Sequence, residues 1–143
     1  MSDSLPLAKE FLRLVDTMHA CDPVAMPADI RGMSVGSIRV LQFLDAHAGS
    51  RMQDVAFGVG LSKPSVSLII RNLEGNGMCT RRVHDTDARA VCLYLTKKGT
   101  AAARAMVNFR EKKAVTLFSV IGRKKQNELV SLIRDILEVW RNK

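Results

Sequence analysis

Three cysteines in 143 residues, an odd number without paired spacing, are too few for a disulfide framework and fit reduced thiols. No apolar run reaches the length of a bilayer span, and the first residues lack the basic start and apolar stretch of a signal peptide. A cytoplasmic location with no membrane partner is the expectation. The sequence has no phosphate-cradling glycine loop and no nucleophile elbow, and His19, His47 and His84 have no evident catalytic partners. His19, Cys21, Asp22, His47 and His84 also lack helical ligand spacing, so no metal site is expected. An enzyme is therefore a poor reading, and no cofactor is implied. Internal repeats, low-complexity tracts and flexible linkers are missing too. What is left is one mostly helical α+β domain over residues 1–143, large enough for a modest core.

Positive charge is what the chain has in excess. Lys and Arg number 22 against 14 Asp and Glu, a net +8, which favours a polyanionic partner, nucleic acid before membrane. The excess is uneven. Residues 1–30 carry two cations and five anions, 31–61 three and two, 62–100 seven and three, and 101–143 ten and four. The basic character begins near residue 62 and continues behind it.

Periodicity and punctuation give a coarse map. Pro6 suits the first turn of a helix running to about His19, with Phe11, Leu14, Val15 and Met18 on one stripe, closed off by Cys21-Asp22-Pro23. Residues 22–33 read as a loop with a short turn around Ala28–Arg31. Ser34 caps a second helix that turns Ile38, Leu41 and Leu44 inward and breaks at Gly49. Met52–Val59 is a third, ended by Gly60. Ser62 caps a fourth, stopped by Gly75 and Gly77. Met78–Val83 reads as a strand, His84–Ala88 as a turn, and Ala90–Leu95 as a returning strand with Val91, Leu93 and Leu95 on the buried face. Thr96 caps a long helix to about Ser119, Gly122 breaks it, and a last helix follows.

Residues 61–99 carry the functional signal. In the fourth helix Val66, Ile69, Ile70 and Leu73 share the core face. The opposite face then holds Pro64, Ser67, Leu68, Arg71 and Gly75, with Ser65 and Asn72 at its edge. Small residues let a backbone approach base edges, Ser65 and Ser67 can donate or accept, and Arg71 can fork to guanine or phosphate. Lys63 and the first amides suit phosphate. Leu68 either packs on thymine methyls or is half-covered by the preceding helix. The hairpin places Asp87-Ala88-Arg89 at its tip. Asp87 can hold the Arg89 guanidinium extended into a minor groove, or the two form an ordinary surface ion pair. Arg82 and His84 complete the candidate DNA-binding set.

The run Leu61-Ser62, Val66, Leu73-Glu74, Gly77, Arg81, Asp87-x-Arg89 and Leu95-Thr96-x-x-Gly99 resembles the winged helix-turn-helix of MarR-type bacterial transcription regulators. The likeness reaches back through Ser34, Leu41 and Asp54-Val55-Ala56 and forward into two terminal helices. It implies a mainly α fold with a small β-wing, residues 34–99 forming the winged helix and 5–20 and 100–141 serving as dimerisation helices. By the same resemblance the chain is a homodimeric repressor of a pseudo-palindromic double-stranded operator, relieved by a small ligand. The 62–76 helix would enter the major groove and the 78–95 wing the minor groove. Leu68 stands where relatives often have a cation, Arg71 where an acid is common, and Ala88 where a wing arginine is frequent, so the grip is shared and the site read is the chain's own.

More apolar stripe is present than a small winged-helix core can cover. Phe11, Leu14 and Val15, with Leu129, Ile133, Ile136, Leu137 and Trp140, are expected at a dimer interface, which would set two recognition helices roughly 34–36 Å apart. Arg123-Lys124-Lys125, with Arg110, Lys112 and Lys113, reads as a solvated face that adds long-range attraction to DNA. Two rivals remain. One is a redox regulator sensing through Cys21, although peroxide-sensing relatives surround that thiol with tyrosines and this chain has only Tyr94. The other is a winged helix used only for protein contacts, against which Lys63, Arg71, Arg81, Arg82 and Arg89 argue. Cys79 is expected in the core, and Cys92 on the outer face of the wing.

Overall fold

Proline, serine and glycine set most of the boundaries in the computed structural model, which describes residues 4–143. Helix α1 (Leu5–Ala20) has proline in its first turn, where a missing N–H costs little, and a 3₁₀ turn at Ala28–Ile30 follows. Helix α2 (Val35–Ala46) starts at Ser34, whose hydroxyl accepts the Ser37 N–H. A two-residue strand, β1 (Ser50–Arg51), leads directly into α3 (Met52–Val59), where the Asp54 carboxylate accepts the Arg51 N–H. Gly60, at φ +66°, stops α3: its own N–H and that of Leu61 donate back to Phe57 and Ala56. Helix α4 (Lys63–Gly75) repeats the serine cap, with Ser62 accepting the Ser65 N–H. Strands β2 (Cys79–His84) and β3 (Asp87–Leu95) form the hairpin, followed by helices α5 (Lys97–Ser119) and α6 (Arg123–Arg141).

The chain divides into two units. Residues 26–109 hold α2, α3, α4, the sheet and the first half of α5. Their core gathers Val40, Leu41 and Leu44 from α2, Val55 and Val59 from α3, Val66, Ile70 and Leu73 from α4, Leu93 from β3 and Ala102, Ala103 and Met106 from α5. Each large aliphatic there gains about 1.5–3 kcal/mol by leaving water. The sheet is antiparallel in the order β1-β3-β2, so β3 is central.

Segments 4–25 and 110–143 form the other unit, made of α1, the end of α5 and α6. None of its described residues is buried. The Lys113 ammonium bridges to Asp22, which also accepts the Val24 N–H, and the two bonds hold that carboxyl below the usual carboxylate range. At the bend between α5 and α6 the Gln126 amide donates to the Phe118 and Ile121 carbonyls.

The helices begin and end close to their expected positions, with differences in the hairpin. β2 and β3 extend further towards each other, so the tip is Asp85-Thr86 and Asp87-Ala88-Arg89 belongs to β3. Residue 75 remains helical, and Gly77, at φ +70°, is the true stop of α4. β1 went unforeseen because two residues carry no period. Its pairing explains the largest discrepancy. Val91 is exposed, while Ala90 and Cys92 are buried, Cys92 to 2 % exposure. Arg51 and Arg82 are the register partners of Cys92 on either side, so a strand flanks it on both edges. A two-stranded ribbon would have left it outside. Ile69, expected in the core, is half-buried at its margin.

Candidate nucleic-acid interface

Helix α4 presents one apolar and one polar face. Val66, Ile70 and Leu73 anchor it in the core, which turns Lys63, Pro64, Ser65, Leu68 and Arg71 outward, all exposed, with Ser67 half-exposed between the faces. Leu68 is 57 % exposed, which leaves it partly covered and open on its outer side. Ser65 serves the cap as well as the surface, since its hydroxyl lies 2.8 Å from that of Ser62. The α3–α4 turn, with its left-handed glycine, fixes where this face begins.

The far end of α4 closes on a Schellman motif. Met78 N–H donates to the Leu73 carbonyl and Gly77 N–H to that of Glu74, and Leu73 and Met78 meet in the core. Across this turn the Arg81 Nε donates to both Glu74 oxygens, at 2.9 and 3.1 Å. Arg81, expected among the basic residues facing a partner, therefore ties α4 to the β2–β3 hairpin. A pair this exposed contributes at most about 1 kcal/mol; its geometric role is the clearer one.

Each wing residue has a definable place. The Arg82 guanidinium lies over the Tyr94 ring, 4.9 Å from its centre, which holds it extended along the sheet. The His84 ring nitrogen Nδ1 accepts the Thr86 N–H and faces the Thr86 hydroxyl at 2.9 Å, so His84 braces the tip. Asp87 accepts the Arg89 backbone N–H at 3.0 Å, and no ion pair joins the two side chains. The expected carboxylate–guanidinium contact is thus replaced by a local turn: three residues within a strand give the carboxylate a nearer partner in the backbone. Arg89 is left as an exposed cation.

Residues 33–91 match the family model of MarR. Over those residues the chain is similar to the MarR family, and its fold there is a winged helix. No curated protein matches the sequence. Among solved structures the chain is similar to MepR, a transcription regulator of the Staphylococcus aureus multidrug efflux pump MepA, at 20 % identity and a TM-score of 0.72, over 92 % of this chain and 97 % of that one. It is similar to Streptococcus pneumoniae FabT in complex with DNA, at 15 % identity and 0.76, over 96 % and 97 %. The YusO protein from Bacillus subtilis gives 18 % and 0.76, over 96 % and 98 %.

This winged helix gathers all nine candidate DNA-binding residues and Asp87 within residues 63–89, on α4, β2 and β3. Two further basic residues escaped the sequence reading. The Arg39 guanidinium lies 4.0 Å from where a Cβ on Gly60 would sit, at the turn before α4. Its outward direction follows from the buried Val40, Leu41 and Leu44 beside it. Lys98 reaches back to the end of α4, a contact 22 residues apart that no local pattern signals.

Cys21 is exposed, and Cys79 is buried as expected. Burial, with the Glu74 carboxylate nearby, pushes the Cys79 thiol up, which keeps it protonated. Among the described residues no three His, Cys, Asp or Glu side chains come together as a metal site, and no helix is long and apolar enough to cross a membrane.

Proposed function

We propose that this chain is a sequence-specific double-stranded-DNA-binding transcription regulator, a homodimeric repressor whose grip on a pseudo-palindromic operator is relieved by a small ligand. One observation carries the reading. The outward face of α4 holds Lys63, Ser65, Leu68 and Arg71, and among the described residues no ion pair reaches either cation or Arg89 of the wing on the same unit. A face used only for protein contacts would be apolar or acidic. Here, two cations frame small polar residues, the composition that suits phosphates and base edges. The solved FabT relative is itself bound to DNA.

The second copy is argued from the other unit. Phe11, Leu14, Ile133, Ile136, Leu137 and Trp140 are exposed, Trp140 to 69 %, on a unit without one buried described residue. So much bare apolar surface favours association. For the effector, a MepR relative is solved bound to ethidium bromide. Cys21 is exposed, yet nothing beside it favours a thiol switch over a ligand.

Fluorescence anisotropy on genomic duplexes that the protein itself selects tests the reading. Nanomolar binding to an inverted repeat, one dimer per site by light scattering, is expected. A monomer at micromolar concentration, or equal affinity for scrambled DNA, would overturn it.

A further inference from the structure

The turn that joins the recognition helix to the wing is held from outside by the first turn of α5. Thr96 Oγ1 donates to the Gly77 carbonyl at 2.6 Å and Thr96 N–H to that of Met78 at 3.0 Å. Gly99 lies so close that a Cβ there would stand 1.9 Å from the Met78 oxygen. Those contacts grip residues beyond α4. Lys98 reaches one residue nearer the helix: its ammonium donates to the carbonyl of Asn76, the C-cap of α4, at 2.8 Å. Asn76 is folded back onto its own helix, since its side-chain amide donates to the Asn72 carbonyl at 2.8 Å, as does its N–H at 3.0 Å. A cation at that end also opposes the negative pole of the helix dipole.

We propose that Lys98 is a positioning residue for operator recognition. By holding the C-cap carbonyl of α4 against the start of α5, it fixes the angle at which Leu68 and Arg71 meet base edges, without touching DNA. Base readout tolerates little misplacement, whereas non-specific attraction depends on charge and is indifferent to a small rotation. The residue should therefore matter for discrimination more than for bare binding. This inference rests on the DNA-binding reading above.

The test compares Lys98→Met, which keeps the stem, and Lys98→Arg, which keeps the donor. Anisotropy is measured on a labelled duplex selected by the protein from genomic DNA and on a scrambled duplex of equal length, across a salt series. Lys98→Met should bind the selected duplex about five- to tenfold more weakly, the loss of one charge-assisted bond. The scrambled duplex should change by less than about twofold, the salt slope should stay unchanged, and Lys98→Arg should restore affinity. A salt slope lower by about 0.9 per protomer, with equal loss on both duplexes, would mean a phosphate contact and overturn the inference. Unchanged discrimination, or loss on both duplexes together with a lowered melting temperature and no rescue by arginine, overturns it as well. If the wild-type chain selects no duplex, the regulator reading itself fails; if it does and Lys98→Met discriminates as well as wild type, only this inference falls.

Discussion

Arg89→Ala should separate the charge of the wing from its shape. The residue is exposed and its side chain forms no ion pair among the described residues, and its one tie to Asp87 runs through its backbone N–H, which alanine keeps. Truncation therefore removes a cation and leaves the hairpin intact. If each Arg89 displaces the counterions of one phosphate, the slope of log affinity against log salt should flatten by about 0.9 per wing, or about 1.8 per dimer. Extrapolated from molar to physiological salt, that slope corresponds to about fivefold in affinity per wing and about 25-fold for two. A narrow minor groove, with its stronger negative potential, would deepen the loss.

The assay is anisotropy on a fixed duplex at several salt concentrations, with thermal melting of the free protein as control. Asp87→Ala is the informative partner. It removes an anion and the turn that places residue 89, so binding should weaken through disorder of the wing while the salt slope stays near wild type. Unaltered affinity and slope for Arg89→Ala, with an unaltered melting curve, would refute the wing assignment. A drop in affinity without a change in slope would refute the phosphate contact.

Arg71→Ala should cost about 1–3 kcal/mol at one base pair if the fork reads guanine; a uniform loss across single-base operator variants would reassign it to phosphate. Gly99→Ala should destabilise the chain by about 2–4 kcal/mol in denaturant unfolding, because the obstructing atom is the Met78 backbone carbonyl and cannot rotate away; a change under about 1 kcal/mol would contradict the packing. Asp22 has a lowered folded pKa, so its contribution to stability is complete above the ordinary aspartate value of about 3.9 and is lost as pH falls through the folded value. Asp22→Asn should accordingly flatten the acid limb of melting temperature against pH, and an identical limb would show the Lys113 bridge to be idle.

How much of this was legible in the sequence depended on the range of the contact. The serine caps at Ser34 and Ser62 and the stop at Gly60 are settled within three or four residues, and each lies where the sequence puts it. Cys92 and Arg81 were misplaced for one shared reason: their neighbours come from elsewhere in the chain. Cys92 is covered because β1, some forty residues earlier, makes β3 a central strand, and Arg81 is drawn to Glu74 across a turn. Lys98 is the extreme case, an unremarkable lysine in a helix start until the fold brings it to Asn76. The residues that would touch DNA are therefore largely readable from periodicity, because the core dictates which side of α4 is left over. Those that would aim it are not, because aiming is done by long-range contacts to the turn behind it. Substitutions on the outward face of α4 should accordingly alter which bases are read, whereas substitutions at Glu74, Arg81 or Lys98 should blur discrimination without shifting the preferred sequence. Selection of duplexes from a random pool by each class of variant would distinguish the two, and a shifted consensus for a Glu74 variant would show that the division between touching and aiming is wrong.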